Sequence, residues 1–416
     1  MTTVSHSPAQ RFIVSKRKSV CIISFSPVAR DARVLRQIDY FSPRYDVTVI
    51  GQGGRAHPKW QQMPGVRWVP VAPITDTNGW RRRLQMAAGG SLLFAGKLVP
   101  ASYYRWFWRQ PIMRDTYVKA VASRADIFHA NDWNALPAAA EAAKTLGGRV
   151  VFDDHEYAVE EFDNHGNWSL VYAPMIRYMV GKYVPRADVV VTVAPAIAEK
   201  YEREFGVKPM VVMNAPARVS HLPERRIDFD NVRLMHHGGA IPDRQLERMI
   251  RAVAQSHPRF SLHFMLVGFT PDYENQLKGL AAEIAPGRVT FHEPVLPEQV
   301  VGRISEYDMG FYSLPPKNFV YSVALPNKFF DFIAAGMPVC IGPSPSMAEI
   351  VERYGLGCVA ASFEPEDMAA ALNGLTPERL ERMLEGARRA AEEINAEREM
   401  GRLVETYERL LSNGRA

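Results

Sequence analysis

The chain has 416 residues, of which 47% are hydrophobic and 23% charged, and a formal net charge of +5 at pH 7. This composition indicates a soluble globular protein with enough apolar material for two domains of roughly 200 residues each. The excess of positive charge is too dilute to favour nucleic acid as a partner. Cys21, Cys340 and Cys358 lie in or beside apolar runs, and their spacing suits neither a disulfide framework nor a metal site. We therefore expect a cytoplasmic protein whose cysteines remain free thiols.

Short apolar runs alternate with helical patterns along the chain, which is typical of parallel sheets with covering helices. Residues 1–18 are polar and lack the apolar core of a signal peptide, so we predict a loose tail there. The strands predicted for the first domain are 19–24, 46–50, 126–130, 149–153, 189–193 and 210–213. Those predicted for the second domain are 232–235, 262–267, 289–291, 309–311, 338–341 and 358–360.

The domain organisation follows from this alternation. Segment 217–231 contains Pro223, several charges and no apolar periodicity, and we predict that it links two domains. The fold class is therefore α/β, with two doubly wound Rossmann-like domains, 19–216 and 232–390, that face each other across a cleft. In open parallel sheets, ligands bind beyond the carboxyl ends of the strands, so the residues there are the candidates for a site.

The loop after the first predicted strand carries Arg30, Asp31 and Arg33 ahead of a helix. Either arginine could face a bound anion. Alternatively, either could form a surface ion pair with Asp31, which would add little stability.

Residues 80–114 carry seven basic and seven aromatic side chains and no acidic one. Rings and guanidinium groups together favour the interface of an anionic membrane, so we predict a peripheral contact with the inner face of the cell membrane. The alternative is that the aromatic run 103–108 packs on the first domain while the arginines face water. The uncharged run 84–96 is too short to span a bilayer.

Polar residues follow two later strands of the first domain. Asn131 and Asp132 follow strand 126–130, and His155 follows strand 149–153. Burying titratable groups just past apolar strands costs free energy unless the groups hydrogen-bond to each other or line a solvent-filled cleft. Asp132 and His155 are therefore candidates to sense or move a proton.

Gly238, Gly239 and Arg244 follow strand 232–235 and precede an amphipathic helix. Glycines let a phosphate approach the backbone, and an arginine can neutralise a diphosphate by bidentate contacts. We predict that these three residues bind a diphosphate. The alternative for Arg244 is an exposed side chain at a helix entry.

The run 324–339 predicts a short helix whose start faces an anion. Pro326 suits the first helical position, and Gly336 suits the position after the last turn. Free amides and the helix dipole favour negative charge at the start, where Lys328 and Asp331 lie three residues apart on one face. A phosphate and a hydroxylated ring can both be held there. The alternative for Asp331 is an acid that only stabilises the helix dipole.

These runs, in this order, resemble the retaining family 4 nucleotide-sugar glycosyltransferases of the GT-B fold over roughly residues 19–406. Run 324–339 resembles the family signature P-N-K-x-x-E-x-x-A-A-G-x-P-V. Runs 126–137 and 149–156 resemble D-x-x-H-A-H-D-W-N-A-L-P and D-x-H-E, and 187–193 resembles A-D-x-V-I-T-V. The resemblance implies that a C-terminal helix, 391–416, crosses back onto the first domain. It also implies a nucleoside-diphosphate sugar as donor, with no cofactor and no metal.

The resemblance implies roles for several residues. Arg244, Lys328 and the helix start would hold the diphosphate, and Asp331 would accept the ribose hydroxyls. The expected sugar contacts are Ser322, Asn327 and the backbone at Ala324 and Leu325.

This chain departs from the family pattern at three positions. Gly239 stands where one clamp arginine would be, and Val323 stands where the first Glu of E-x(7)-E would contact the sugar. Asn131 replaces the second His of the H-A-H-D run. We expect Arg30 or Arg33 to replace the missing cation.

The implied reaction transfers a hexose or related sugar to a hydroxyl with retention, and the leaving diphosphate accepts the proton of that hydroxyl. Many relatives approach lipid-linked acceptors through the region of 80–114, so a lipid-linked or surface-polysaccharide acceptor is expected. Three alternatives remain open: a nucleotide-sugar 2-epimerase, a sucrose- or trehalose-type synthase with a soluble acceptor, and a catalytically silent binding subunit.

Overall fold

The structure, a computed structural model, describes residues 17–52, 58–71, 91–160, 168–219, 225–268 and 270–412. Within these ranges the chain forms two parallel sheets, one of seven strands and one of six, with helices around both. The predicted α/β architecture is therefore confirmed. The predicted loose tail lies outside the described residues except for Arg17 and Lys18.

The first sheet has the order β3-β2-β1-β4-β5-β6-β7. Its strands are β1 Ser19–Pro27, β2 Asp46–Gln52, β3 Val66–Val71, β4 Ile127–Asn131, β5 Arg149–Asp154, β6 Val189–Thr192 and β7 Met210–Val211. All of its neighbouring strands pair in parallel. Strand order reverses between β1 and β4, and the connections leave a crevice at their carboxyl ends.

The second sheet has the order β10-β9-β8-β11-β12-β13. Its strands are β8 Val232–Gly239, β9 Phe260–Val267, β10 Val289–His292, β11 Met309–Tyr312, β12 Val339–Ile341 and β13 Gly357–Val359. Here the order reverses between β8 and β11. The first sheet ends at Val211 and the second begins at Val232, on either side of the predicted linker.

Helices cover both faces of each sheet. Those of the first half are α1 Ala32–Phe41, α2 Ala101–Arg109, α3 Pro111–Ser123, α4 Leu136–Leu146, α5 Ala173–Tyr183 and α6 Pro195–Phe205. Those of the second half are α7 Glu247–Gln255, α8 Pro271–Ile284, α9 Val300–Ile304, α10 Phe319–Val323, α11 Asn327–Ala334, α12 Pro345–Tyr354, α13 Pro365–Asn373, α14 Pro377–Glu393 and α15 Ala396–Ser412. No described helix combines the length and the apolar character needed to span a bilayer.

The last helix, α15, packs back on the first domain, as the resemblance implied. Its buried side chains Leu403 and Tyr407 join a hydrophobic cluster with Val34 and Phe41 of α1. The rings of Phe41 and Tyr407 stack with their centroids 4.6 Å apart. Aromatic pairs of this kind add stability beyond the area that they bury.

The described end of the linker is anchored to the second domain. Arg225 donates hydrogen bonds to the backbone carbonyls of Ser305 and Gly336, at 2.7 and 3.0 Å. Burial lowers the pKa of Arg225 to about 10. Arg225 therefore contacts the C-terminal end of α11 and not its first turn.

Candidate functional site

A cavity of about 500 Å³ lies between the two domains, at the carboxyl ends of both sheets. Its lining from the first domain includes Ser26, Pro27, Asp31, His155, Glu156, Val193, Ile197 and Asn214. Its lining from the second domain includes Arg244, Tyr312, Leu314, Val320, Tyr321, Ala324, Leu325, Pro326 and Asn327. The site therefore lies where the strand order of each sheet reverses, which is the expected position in doubly wound folds.

The start of α11 forms part of the cavity wall. The helix begins at Asn327, preceded by Pro326 in extended conformation, and no side chain caps this end. Gly336 follows the last turn with φ of +59°, a conformation that favours glycine. Pro326, Asn327 and Leu325 line the cavity, so the positive end of the helix dipole faces the space between the domains.

Lys328 lies behind the cavity wall rather than in it. Its side chain is only 6% exposed, and its Nζ lies 3.0 Å from Nε2 of His236. The Nδ1 of His236 is 3.1 Å from the carbonyl oxygen of Phe311, which can only accept. Nδ1 therefore carries the proton, and Nε2 accepts a hydrogen bond from Lys328. Burial lowers the pKa of Lys328 well below its usual value, with a smaller contribution in the same direction from Arg244.

Gly238 supplies the space that Lys328 needs. Its φ is +103°, and a Cβ added there would lie 3.3 Å from Cε and 3.4 Å from Nζ of Lys328. A side chain at this position would therefore be strained and would crowd the ammonium group. The glycine predicted to let a phosphate approach thus also makes room for a buried cation.

Arg244 lines the cavity from the 3-10 helix Pro242–Arg244. Its Nη1 donates a hydrogen bond of 3.1 Å to the carbonyl oxygen of Gly239. The neighbouring Asp243 pairs with Lys317 at 2.8 Å. The guanidinium group therefore lies against the Gly239 backbone beside the cavity, and it has further N–H donors that can bind a ligand.

Asp331 and Arg36 face each other across the domain boundary. Burial raises the pKa of Asp331 to about 7, while Arg36 and Lys328 act in the opposite direction. The Asp331 carboxylate also lies 3.6 Å from Nε2 of His237. Burial lowers the pKa of Arg36 to about 10, and the charge of Asp331 partly offsets this. Arg36 was not among the residues predicted from the sequence, although it lies about one helical turn beyond Arg33.

Arg36 also joins the two domains through a pair of asparagines. It donates to the carbonyl oxygen of Asn214 at 3.1 Å and to the side-chain oxygen of the same residue. Asn214 in turn donates through Nδ2 to Oδ1 of Asn327 at 2.5 Å. The first residue of α11 is therefore tied to the first domain.

Arg33 is among the residues that line the cavity, but its guanidinium group is engaged within the first domain. It makes two hydrogen bonds to the Asp153 carboxylate, at 2.7 and 2.8 Å, and one to the carbonyl oxygen of Val212 at 2.9 Å. It is neither a surface partner of Asp31 nor a free cation, because Asp31 instead caps α1 through the amides of Arg33 and Val34. Arg30 lies in the 3-10 helix Val28–Arg30, and its side chain lies outside the described part of the structure.

The Asp153 carboxylate holds a buried polar cluster together. Burial alone would raise its pKa, but Arg33 and the hydrogen bond with His129 outweigh burial and hold the pKa well below its usual value. Gln37 donates through Nε2 to Asp153 and to Oδ1 of Asn131, each at 2.9 Å. Because a carboxylate only accepts, this contact fixes the orientation of the Gln37 amide and hence that of Asn131.

The two ring nitrogens of His155 both face protein groups. Nε2 is 3.1 Å from Oδ1 of Asn131, which only accepts, so Nε2 carries a proton. Nδ1 is 3.5 Å from Oδ1 of Asp132. Burial raises the pKa of Asp132, with His155 opposing. Oδ1 of Asp132 also accepts a hydrogen bond of 3.3 Å from the backbone N–H of His155. His155 is among the residues that line the cavity, but both of its ring nitrogens lie beside side chains of the first domain.

His129 lies in the same cluster, fully buried in β4. Its Nδ1 bonds the hydroxyl of Tyr407 on α15, and its Nε2 lies 3.4 Å from the Asp153 carboxylate. Burial lowers its pKa. His129 is therefore a core histidine whose two ring nitrogens face polar side chains.

Two family models match the chain. Glycosyltransferase Family 4 matches residues 33–215, and Glycosyl transferases group 1 matches residues 231–377. The two matches correspond to the first and second domains and together cover most of the chain. A search of curated protein sequences gives no match.

Solved structures share the fold at low sequence identity. The Anabaena protein Alr3699/HepE in complex with UDP superposes with a TM-score of 0.68 at 16% identity, over 94% of this chain and 99% of that one. Sucrose-phosphate synthase from Thermosynechococcus elongatus superposes with a TM-score of 0.68 at 14% identity, over 95% and 100%. A glycosyltransferase from Rickettsia africae superposes with a TM-score of 0.65 at 12% identity, over 96% and 100%. The first domain therefore belongs to the Glycosyltransferase Family 4 model and the second to the Glycosyl transferases group 1 model, and the chain is a family 4-like glycosyltransferase with the GT-B fold.

Proposed function

We propose that this protein transfers a sugar from a nucleoside-diphosphate donor to a hydroxyl acceptor, with retention of configuration, in the cavity between its domains. The main observation in support of this proposal is that Arg244 and the uncapped start of α11 line the same cavity from the second domain. Both favour a bound diphosphate. The Anabaena structures of the same fold, in complex with UDP and with UDP-glucose, support such a donor.

In the proposed reaction the substrates supply the reacting groups and the enzyme stabilises the charge on the leaving group. The bond between the anomeric carbon and the β-phosphate oxygen breaks, and a bond from the acceptor oxygen to the same carbon forms on the same face. The acceptor proton passes to the leaving diphosphate, so no enzyme nucleophile is required. Arg244 and the amides at the start of α11 would stabilise the charge that develops on the diphosphate.

The arrangement around His155 supports the same mechanism. Because Asn131 and Asp132 occupy its ring nitrogens, His155 is poorly placed to act as a general base. We propose instead that His155 and Asp132 shape the acceptor side of the cavity. Glu156, exposed within the cleft, is the neighbouring carboxylate that can accept a hydrogen bond from the acceptor.

Asp331 and Arg36 supply the second part of the donor site in this proposal. The ionised Asp331 carboxylate would accept hydrogen bonds from the ribose hydroxyls, and Arg36 would keep it ionised. Arg36 is thus a first-domain cation of this proposed site in addition to the predicted Arg30, whose side chain lies outside the described part of the structure. Lys328 lies behind the wall next to Gly238, where burial disfavours its charged form, so we assign it no contact with the diphosphate.

We further propose a lipid-linked acceptor that is reached at a membrane surface. Phe94 and Leu98 are 72% and 83% exposed, and Lys97 lies between them. Leu170 on a neighbouring segment is 60% exposed, and a cavity lined by Lys97 and Leu170 joins the two segments. By contrast, Trp106 and Trp108 pack against the core, so the exposed tip near 94–99 is the better membrane contact. Residues 80–90 of the predicted basic segment lie outside the described residues.

The proposal is tested by donor binding and then by turnover. A thermal shift screen with UDP, GDP and dTDP at equal concentration identifies the base, since a ligand that binds the folded state more tightly raises the melting temperature further. The matching sugar nucleotides are then incubated with and without a lipid-linked hydroxyl acceptor, and the product anomer is assigned by NMR.

Each outcome of these assays has a distinct meaning. No binding of any nucleoside diphosphate would overturn the proposal. Binding without transfer would favour a silent subunit, and isomerisation of the donor without acceptor would favour an epimerase. Transfer with inversion would refute the retaining mechanism.

A further inference from the structure

One wall of the cavity between the domains is apolar. Leu314, Val320 and Leu325 form it from the second domain, and Val193 and Ile197 contribute from the first. Leu314, Val320, Leu325 and Ile197 belong to one buried hydrophobic cluster that runs through both domains. This wall is therefore the surface of a core and cannot turn polar groups toward the cavity without breaking that core.

The polar side chains that line the cavity from the second domain are Arg244, Tyr312, Tyr321 and Asn327, and two of these four are already engaged with protein groups. No carboxylate of the second domain occurs among the described residues that line the cavity. Asn327 accepts a hydrogen bond from Asn214, and Arg244 donates to the Gly239 carbonyl. Ser322, an expected sugar contact, instead donates its hydroxyl to the carbonyl oxygen of Phe319 at 2.7 Å.

The wall lies where the donor sugar must lie if the diphosphate binds at the start of α11. The anomeric carbon is bonded directly to the β-phosphate, so the sugar ring adjoins the residues that precede this helix. Those residues are 320–325, and Leu314 stands beside them in the lining. A ring hydroxyl against this surface would lose water without gaining a partner, which costs free energy.

We propose that the donor sugar carries an apolar substituent in place of a hydroxyl and packs that substituent on this wall. The shared chemistry is a methyl group presented by the ring, either at C6 of a 6-deoxy sugar or in the acetyl group of an N-acetylamino sugar. Fully hydroxylated hexoses bind less tightly. This inference rests on the proposed function, because that function sets the position of the diphosphate.

The test is isothermal titration with donors that differ at one position only. UDP and GDP are titrated first to establish the base. UDP-glucose is then compared with UDP-6-deoxyglucose and UDP-N-acetylglucosamine, or GDP-mannose with GDP-6-deoxymannose. At least one substituted donor should bind about 10-fold more tightly than its hydroxylated counterpart, the usual discrimination of an apolar pocket. Which of them does so distinguishes the deoxy from the N-acetyl source.

The outcomes separate this inference from the proposed function. If a diphosphate binds but UDP-glucose or GDP-mannose binds as tightly as every substituted donor, the inference is overturned and the proposed function stands. If neither UDP nor GDP binds, titration with dTDP and then with dTDP-glucose and dTDP-6-deoxyglucose applies the same criterion. Failure of all three diphosphates overturns both.

A pair of variants at one wall position checks the cause. Val320→Thr keeps the side-chain shape and adds a hydroxyl. The ratio of the affinity for the substituted donor to that for the hydroxylated donor should therefore fall by on the order of 10-fold. Val320→Ala removes volume without adding a polar group, and this variant should still bind the substituted donor more tightly than the hydroxylated one. A preference that Val320→Thr leaves unchanged would count against the wall as its origin. If Val320→Thr fails to fold, Leu314→Gln with Leu314→Met as its control replaces the pair.

Discussion

Replacing Arg33 by methionine should destabilise the first domain while leaving the donor site chemically intact. The Arg33 and Asp153 side chains are 4% and 0% exposed, and the two make a bidentate pair. Removing one partner of a buried pair leaves an uncompensated charge and costs about 3–5 kcal/mol. For a domain of this size the loss corresponds to a melting temperature lower by roughly 6–20 °C.

The pH dependence of this effect has a defined sign. Because Arg33 and His129 hold the pKa of Asp153 below its usual value, the pair stabilises the folded state above the ordinary carboxylate range, near about pH 4. The contribution of the pair to folding stability is lost as the pH falls further, through the lowered pKa of Asp153 in the folded state. The difference in free energy of unfolding between wild type and Arg33→Met should therefore be largest at neutral pH and decrease in acid.

Thermal unfolding of wild type, Arg33→Met and the double variant Arg33→Met/Asp153→Leu provides the assay. The double variant should recover most of the lost stability, since it removes both charges and fills the space with apolar groups. UDP or GDP affinity, measured well below the melting temperature, should change little in both. Near-normal stability of Arg33→Met combined with lost nucleotide binding would refute a structural role and restore Arg33 as the clamp cation.

The remaining predictions concern the donor site and the exposed tip. Arg244→Ala should weaken nucleoside-diphosphate binding by about 10-fold to 100-fold through the loss of charge-assisted hydrogen bonds, as measured by titration calorimetry. Arg248→Ala, one turn away and paired with Glu364, is its control. Because the pKa of Asp331 is raised to about 7, donor affinity should rise as the pH increases through about 7, and Asp331→Asn should remove this dependence. The double variant Phe94→Ser/Leu98→Ser should reduce sedimentation with anionic vesicles without changing nucleotide affinity.

Each of these predictions has an opposing result. Equal affinities of Arg244→Ala and Arg248→Ala for the diphosphate would remove Arg244 from the donor site. For Asp331, the folded state binds the extra proton between the unfolded and folded pKa values, so wild-type stability should fall relative to Asp331→Asn as the pH rises from about 4 to about 7. A constant difference would contradict the raised pKa. Unchanged vesicle binding of the Phe94/Leu98 variant would place the membrane contact elsewhere.

Most of the fold could be predicted because buried parallel strands read as continuous apolar runs. Twelve of the thirteen strands in the structure overlap runs identified in the sequence. The exception is β3, Val66–Val71, an edge strand that is only partly buried and contains Pro70. An edge strand paired on one side lacks the apolar signature of a central one.

The positions of the candidate site were predictable, but several side-chain directions were not. Residues beyond strand ends can be read from the sequence, and the cavity lining contains Arg244, His155 and Asn327. Whether a side chain turns toward the cavity depends on partners far away in sequence. Lys328 turns inward because His236, 92 residues away, offers an acceptor. Arg33 does so because Asp153, 120 residues away, offers a carboxylate.

Tyr407 has a consequence for how the protein is synthesised. It bonds His129 across 278 residues of chain and completes the core that α1 begins. The first domain therefore cannot close its interior while the ribosome is still translating the second, and its α1 surface stays uncovered until α15 has emerged. During that interval the nascent chain should depend on chaperones to prevent aggregation.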